Sequence, residues 1–318
     1  MRFSKRNVSY ILRIFAHSTM IKATSKDIEV IKPVSWLLIF FLALTWGSSY
    51  ILIKKGLVAY SPEQVASLRI GISAIAFLPY FITRFRTIDW SQTKYYAIVG
   101  FAGSCIPAFL FALAQTEINS SITGVLSSLT PLFTLLLGLL FFGISFTWSK
   151  TLAVILGLSG ALFLILFGKE AGLDGNIWYT FLVMLGSFLY AVSVNTVKTY
   201  LQEVEVFTLS AVSFIMIGVP AIFYLFTTNF LEVLQTHEAG YTSLCYVTLL
   251  ALAGTVMASV LFFKLVQMTN AVFASMVSYL IPLVALGWGA LDGEAITVYH
   301  FVGMGLILLG VYVGSRKA

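Results

Sequence analysis

Charge is what this sequence has least of. Asp, Glu, Lys and Arg make up 10% of its 318 residues, against about 25% in an average soluble domain. A chain so poor in ionised groups cannot cover a globule with them, which excludes an ordinary soluble protein. Cysteine (2) and histidine (3) are scarcer still. Cys105 and Cys245 both fall inside apolar runs without ligand spacing around them, so each is expected as a free, buried thiol, and neither a disulfide framework nor a metal site is expected. His17, His237 and His300 are scattered near tails and helix ends, where solvated or interfacial roles are expected. No phosphate-binding glycine loop is present, which excludes ATP hydrolysis by the chain itself, and no cofactor is implied. A basic balance of +6 would suit nucleic acid in another context; here its distribution gives it a different cause, so no nucleic acid partner is expected.

What is abundant is hydrocarbon. Hydrophobic residues reach 59% and the mean hydropathy is +0.95, so the chain is expected to be integral to a lipid bilayer. A bilayer core of about 30 Å needs about 20 apolar residues per helix. Ten such runs can be drawn: 36–54, 63–84, 94–113, 120–142, 148–167, 177–198, 207–227, 241–264, 270–291 and 297–315. The connections between them leave no room for a soluble domain. The expected fold is all-α and integral to the membrane, with ten transmembrane helices.

Lysine and arginine then set the orientation, because short loops rich in them stay in the cytoplasm. The N-terminal segment carries Arg2, Lys5, Arg6, Arg13, Lys22, Lys26 and Lys32. The even-numbered loops and the C-terminus add Arg84, Arg86, Lys94, Lys150, Lys198, Lys264, Arg316 and Lys317. The opposite side has Lys54, Lys55 and Lys169. Both termini are therefore expected in the cytoplasm, in the inner or plasma membrane. Residues 1–33 read as a basic cytoplasmic extension without the apolar core and cleavage site of a signal peptide. Met20, followed by IKATSKDIEVIKP, would serve equally as a start, and a basic segment lying on anionic lipid is the rival reading.

The chain repeats itself. NSSITGVLSSLTP from Asn119 aligns without gaps with NAVFASMVSYLIP from Asn270, and Gly143, Thr147 and Gly160 return as Gly293, Thr297 and Gly310. Gln115 pairs with Gln267 if one residue is inserted. Earlier in each half, WGSSYILIK from Trp46 is echoed by YAVSVNTVK from Tyr190. Five helices is an odd number, so a second copy must enter the membrane from the opposite face. The expected domains are residues 34–168 and 176–318, related by inversion. Inverted repeats are a transporter architecture, with the solute site near mid-bilayer where the halves meet.

At these residues the chain resembles a known family. WGSSYILIKKGL, Arg69, the run from Ala114 to Pro131, its copy from Gln267 to Pro282 and the ending GEAITVYHFVGMGLILLGVYV are similar to the EamA-type family of the drug/metabolite transporter superfamily, over about residues 36–315. The resemblance implies a ten-helix inverted-repeat fold and export of amino acids or other small metabolites by alternating access around a central cavity. One position departs from the family pattern: the acid that follows the glycine ending helices four and nine is Glu294 in the second half but Ile144 in the first.

Particular residues carry the expected chemistry. Pro131 and Pro282 stand within apolar runs, where each removes a backbone hydrogen bond and must leave a carbonyl seeking another partner. Each is expected either to act as a pivot beside the cavity or to form a static kink. Around them Ser127, Thr130, Ser278 and Tyr279 are candidate solute ligands. Trp46, Ser49 and Tyr50 in helix one, and Tyr190 and Asn195 in helix six, complete the candidate set. The spacing 46, 49, 50 places side chains on one helix face. Rings with polar tips suit either a pocket or the membrane interface. Gln115 and Gln267 are candidate gates, since an amide both donates and accepts.

Arg69 is the charge placed deepest in a run, open to a solute carboxylate or to loop carbonyls. Lys54 and Lys55 are expected as interfacial anchors. Gly157 with Ala161 and Gly254 with Ala258 are expected to bring helices close. No acid lies near the middle of a run: Glu63, Glu117, Asp292 and Glu294 all stand at ends or in loops, which favours uniport or exchange, or coupling through an end-located acid such as Glu117. A lipid-modifying enzyme would need acids, histidine and serine clustered at one depth, and a scaffold would need a soluble partner domain. The expected partners are a small solute and the bilayer, for a monomer or homodimer that is not an enzyme.

Overall fold

The computed structural model describes residues 33–142, 148–167 and 178–315. Residues 33–318 form one compact unit; the basic extension and Ile144 lie outside the described residues. Among these the chain is all helical, without a strand.

The helices follow the apolar runs: α1 Pro33–Gly56, α2 Pro62–Arg84, α3 Trp90–Ala114, α4 Ser120–Phe141, α5 Trp148–Leu166, α6 Trp178–Tyr200, α7 Val206–Thr227, α8 Gly240–Met268, α9 Ala271–Leu291 and α10 Val298–Ser315. A short helix, Phe230–Thr236, joins α7 to α8. Eight of them, all but α5 and α10, are long and apolar enough to cross a bilayer. Large side chains such as Leu37, Phe40, Phe223 and Phe226 point outward, as expected where lipid rather than water is the solvent.

Local chemistry explains where helices start. Ser61 caps α2 with a reciprocal pair: its Oγ accepts from the Gln64 N–H at 3.3 Å, and the Gln64 side chain accepts from the Ser61 N–H at 3.0 Å. Pro62 follows at the first turn, where its missing N–H is no loss. Glu205 caps α7 in one direction only, accepting from the N–H groups of Phe207 and Thr208. At the end of α9, Gly293 has a φ of +83°. With it in the left-handed region, the N–H of Glu294 reaches the Gly289 carbonyl at 2.9 Å, and the chain turns back on the helix it has just left.

The core sits around α4, 72% buried, against 44–56% for the seven other long apolar helices. Packing pairs α2 with α7 and α5 with α10, while α9 lies along α1 and α6 along α3 and α4. Gly157 lets Leu132 of α4 approach α5, as a small-residue packing position should. Two sequence expectations need correcting. Cys245 is an exposed thiol on the flank of α8 rather than a buried one. His300 is fully buried, its Nδ1 accepting from the Thr297 N–H at 3.2 Å, rather than solvated.

Neither α4 nor α9 is continuous. In α4 the break comes at Ser128 and Leu129, before Pro131, which occupies the first turn of the second segment, Thr130–Phe141. Pro131 would leave the Ser127 carbonyl without its helical donor. Thr130 Oγ1 donates to that carbonyl at 2.8 Å, so the neighbour repairs what the proline removes. In α9 the break is at Met276, ahead of Val277–Leu291, which carries Pro282. Here Ile281 stands where Thr130 stands in the first half, and it brings no hydroxyl.

Candidate functional site

Two helices change their winding where the bundle opens inside. Phe101–Cys105 in α3 and Leu252–Met257 in α8 are single π-helical turns. A π turn widens the helix by one residue and turns side chains and carbonyls out of register, and such turns gather at functional sites. Both occur on the same short motif, FAGS and LAGT.

Between them lies a cavity of about 90 Å³, several times the roughly 10–15 Å³ that admits one water. Its wall draws on α1–α4 and α6–α9. From α1 come Trp46, Ser49 and Tyr50; from α2, Arg69; from α3, Gly103, Ser104 and Phe111; from α4, Ser127 and Thr130. Facing them are Tyr190 and Ser193 of α6, Phe214 of α7, Gly254, Thr255, Ser259, Phe262 and Phe263 of α8, and Ser275 and Ser278 of α9.

The glycines of the two motifs are there for space. A Cβ on Gly103 would lie 2.3 Å from Ser193 Oγ, and one on Gly254 would lie 2.7 Å from Ser49 Oγ. At 103 the Ser193 Cβ would also lie at 2.9 Å, so glycine is what lets α3 meet α6 this closely, whereas at 254 it is the Ser49 hydroxyl alone that comes within 3 Å. Ser49 and Ser193 occupy equivalent places in WGSSYILIK and YAVSVNTVK, so the same contact is made twice. Gly254 also presents its carbonyl, which accepts from Trp46 Nε1 at 3.0 Å and fixes the indole in the wall.

Aromatic rings line one part of the space. Trp46 meets Phe262 edge-on at 4.9 Å, Tyr50 meets Phe111 edge-on at 6.0 Å, and Phe111 stacks on Tyr190 at 5.7 Å. Among them are hydroxyls whose protons are already engaged. Ser127 Oγ donates to the Gly124 carbonyl at 2.7 Å and Thr130 Oγ1 to that of Ser127. Toward a solute these two therefore act as acceptors.

Of the residues singled out from sequence, seven candidate ligands meet in this wall: Trp46, Ser49, Tyr50, Ser127, Thr130, Tyr190 and Ser278. Arg69 joins them. Its Nε donates to Thr255 Oγ1 at 2.7 Å rather than to a loop carbonyl. Asn195 and Tyr279 are not in the wall. Asn195 is buried, with Nδ2 donating to the Thr134 and Ala191 carbonyls at 3.2 and 2.9 Å, and ties α6 to α4. The Tyr279 hydroxyl is buried without a hydrogen-bond partner. Gln267 donates to the Leu201 and Val204 carbonyls at 3.0 and 2.7 Å, fastening α8 to the turn after α6. Gln115 has both side-chain polar atoms buried and unpartnered.

Gly103, Ser104, Thr255, Phe111 and Phe262 were not singled out from sequence. The FAGS and LAGT echo was the available signal for the first three.

One end of the bundle is held by charge. Lys54, near the end of α1, sits 2.7 Å from Asp292 Oδ2 and 2.8 Å from Glu294 Oε1, and Lys55 pairs with Asp292. Glu294 also accepts from the N–H and hydroxyl of both Ser120 and Ser121, at 2.5–3.2 Å, so one carboxylate caps the N-terminus of α4. Burial pushes the Glu294 carboxyl up, but bonds from Lys54, Ser121 and Ser120 more than offset this and hold it below the usual glutamate range. Lys54 and Lys55 are thus ion-paired rather than simple anchors. Among the described residues, no group of His, Cys, Asp and Glu could hold a metal ion.

Comparison with known proteins agrees with this architecture. An uncharacterized transporter of Archaeoglobus fulgidus is 26% identical over 283 residues, covering 89% of this chain and 99% of its own. The uncharacterized inner membrane transporter YedA of Escherichia coli is 24% identical over 277 residues, 86% of this chain and 88% of its own. A protein of Streptantibioticus cattleyicolor named as a probable terminal-alkyne amino-acid exporter is 23% identical over 147 residues, 45% of this chain and 48% of its own. A solved crystal structure shares the fold at a TM-score of 0.60 with 14% identity, covering 89% of this chain and 97% of that one. The model of the EamA-like transporter family matches twice, over residues 34–166 and again over 177–316. This is a multi-pass membrane protein, and the chain belongs to the EamA-like transporter family.

Proposed function

We propose that the protein is a secondary transporter that exports amino acids or other small metabolites across the inner or plasma membrane by alternating access through this cavity. The observation that carries the reading is the cavity itself, enclosed by eight helices and walled by hydroxyls, rings and two π turns. Membership of a transporter family and a relative named as an amino-acid exporter support the solute class. All ten helices cross, and the halves 34–168 and 176–318 are inverted relative to each other. The double match of the family model and the equivalent contacts Ser49–Gly254 and Ser193–Gly103 favour this arrangement. The lysine and arginine bias puts both termini in the cytoplasm.

On this reading the two ends of the bundle are the two gates. The outer gate is the Lys54–Glu294 cluster, and the inner one lies where Gln267 and Lys198 meet the turns around α6 and α9; Lys198 Nζ donates to the Thr269 carbonyl at 2.5 Å. Solute flux into proteoliposomes, measured with amino acids, nucleosides and sugars, tests the reading. Uptake that saturates and needs the protein supports it; a protein that moves none of them overturns it. Accessibility labelling of cysteines placed at 54 and 198 tests the inversion, which fails if both react from the same side.

A further inference from the structure

We propose that Arg69 is a built anion-recognition point, and that the transported solute carries a single carboxylate that docks on it. The assignment rests on the transporter reading for the solute's route, but not for its binding. Among the residues of the wall, Arg69 is the only one with a full charge, and no acid lies there to balance it. Among the described residues no ion pair involves Arg69. A guanidinium held inside a bundle without a counter-charge is unfavourable, because the low-dielectric surroundings do not solvate it. The missing partner fits the role of a ligand.

The guanidinium is also oriented, as a binding group should be. Its Nε is fixed by Thr255, and Thr255 Oγ1 in turn donates to the Leu250 carbonyl at 3.2 Å, a bond that the π turn of α8 brings within reach. Ser73 Oγ donates to the Arg69 carbonyl at 2.7 Å and steadies the backbone beneath. With Nε held, the two terminal NH2 groups supply the planar donor fork that matches a carboxylate, in a wall that also carries the Tyr190 phenol. At the same distance beyond its cap, α7 carries Ser213, whose hydroxyl donates to the Tyr96 carbonyl at 3.1 Å. The repeat therefore offers one charged docking point and not two. That favours a monocarboxylate with an apolar or aromatic body lying toward Trp46, Phe262 and Phe111.

The test uses the full-length protein in detergent and in liposomes, with phenylalanine, leucine and benzoate as probes and their amides as matched controls. The carboxylates are expected to raise the melting temperature of the wild type, and the amides to leave it unchanged. Arg69→Gln is expected to abolish the shift and to cut carboxylate flux at least about tenfold, with Arg69→Lys keeping a fraction of both. If Arg69→Gln fails to fold, Thr255→Val replaces it, with a smaller loss in the same direction. Equal shifts from acid and amide, an unchanged shift in Arg69→Gln, or no shift from any carboxylate would overturn the proposal. A wild type and an Arg69→Gln variant that move the carboxylates equally well would leave the transporter reading standing while the anion site falls.

Discussion

Lys54 Nζ lies 2.8 Å from Glu294 Oε1, joining the end of α1 to the turn after α9 across 240 residues of sequence. The same carboxylate caps α4, so three helices meet at one acid whose side chain is only 3% exposed. Removing its charge leaves the Ser120 and Ser121 N–H groups with a weaker acceptor. Glu294→Gln is expected to destabilise the protein by about 1–3 kcal/mol, read as a lower melting temperature in detergent. Exchanging the pair, with Lys54→Glu and Glu294→Lys together, is expected to recover only part of the loss. Lysine at 294 cannot accept from the two serine N–H groups. Full recovery would show that the ion pair alone, and not the cap, holds this end.

The same cluster sets an acid limit. Lys54 and Lys55 lower the Asp292 carboxyl, with burial opposing, and Glu294 is held below its ordinary value of 4.5 as described above. A carboxyl with a depressed folded-state value binds protons more readily when unfolded. Its contribution is therefore complete above the ordinary carboxylate range and is lost as the pH falls through the lowered folded-state values. The melting temperature is expected to fall below about pH 4.5, and to fall less steeply in Glu294→Gln. Identical acid limbs for the two proteins would place the sensitivity elsewhere.

How much of this could be read in the sequence depends on what leaves a mark there. Hydropathy marks length, so the runs at 36–54 and 120–142 predict α1 and α4 closely. The repeat and the three- and four-residue spacing found Trp46, Ser49, Tyr50, Tyr190 and Ser127. Asn195 shares its apolar run with Tyr190, but five residues at about 100° each put it about 140° off that face, where it bonds to α4. Tyr279 is one residue, again about 100°, from Ser278. The π turns leave no trace in hydropathy, because a wider turn of the same apolar residues is equally apolar. Phe111 and Phe262 were indistinguishable from the many phenylalanines that face lipid. The partners of Arg69 depend on the meeting of α2 with α8, which no local pattern encodes.

Gly103 tests whether the cavity depends on close helix approach. An alanine there would have to pass Ser193, with Oγ at 2.3 Å and Cβ at 2.9 Å from the new methyl. Gly103→Ala is expected to destabilise by about 1–3 kcal/mol through overpacking. Ser193→Ala should not relieve it, because the Cβ remains, whereas Ser193→Gly should. Thermal unfolding of the three double and single variants reads this directly. Relief by Ser193→Ala would mean that only the hydroxyl clashes and that α3 and α6 can part at little cost.

The two broken helices make opposite use of their prolines, and this gives the last prediction. In α4, Thr130 supplies the donor that Pro131 lacks, so the break is internally satisfied. Thr130→Val keeps the shape, removes the hydroxyl and leaves the buried Ser127 carbonyl unpaired, an expected loss of about 1–3 kcal/mol. Pro131→Ala restores a backbone donor to the same carbonyl, so the double variant Thr130→Val with Pro131→Ala is expected to regain most of that stability. In α9, Ile281 offers no hydroxyl to the carbonyl that Pro282 frees, that of Ser278, a residue of the cavity wall. Pro282→Ala is therefore expected to raise stability, by engaging that carbonyl in the helix, while lowering flux several-fold if the freed carbonyl serves the solute or the bend serves opening. Melting and flux measured side by side separate the outcomes. A stabilised Pro282→Ala protein with wild-type flux would make the bend a static kink, while loss of flux in step with loss of stability would reduce the effect to folding.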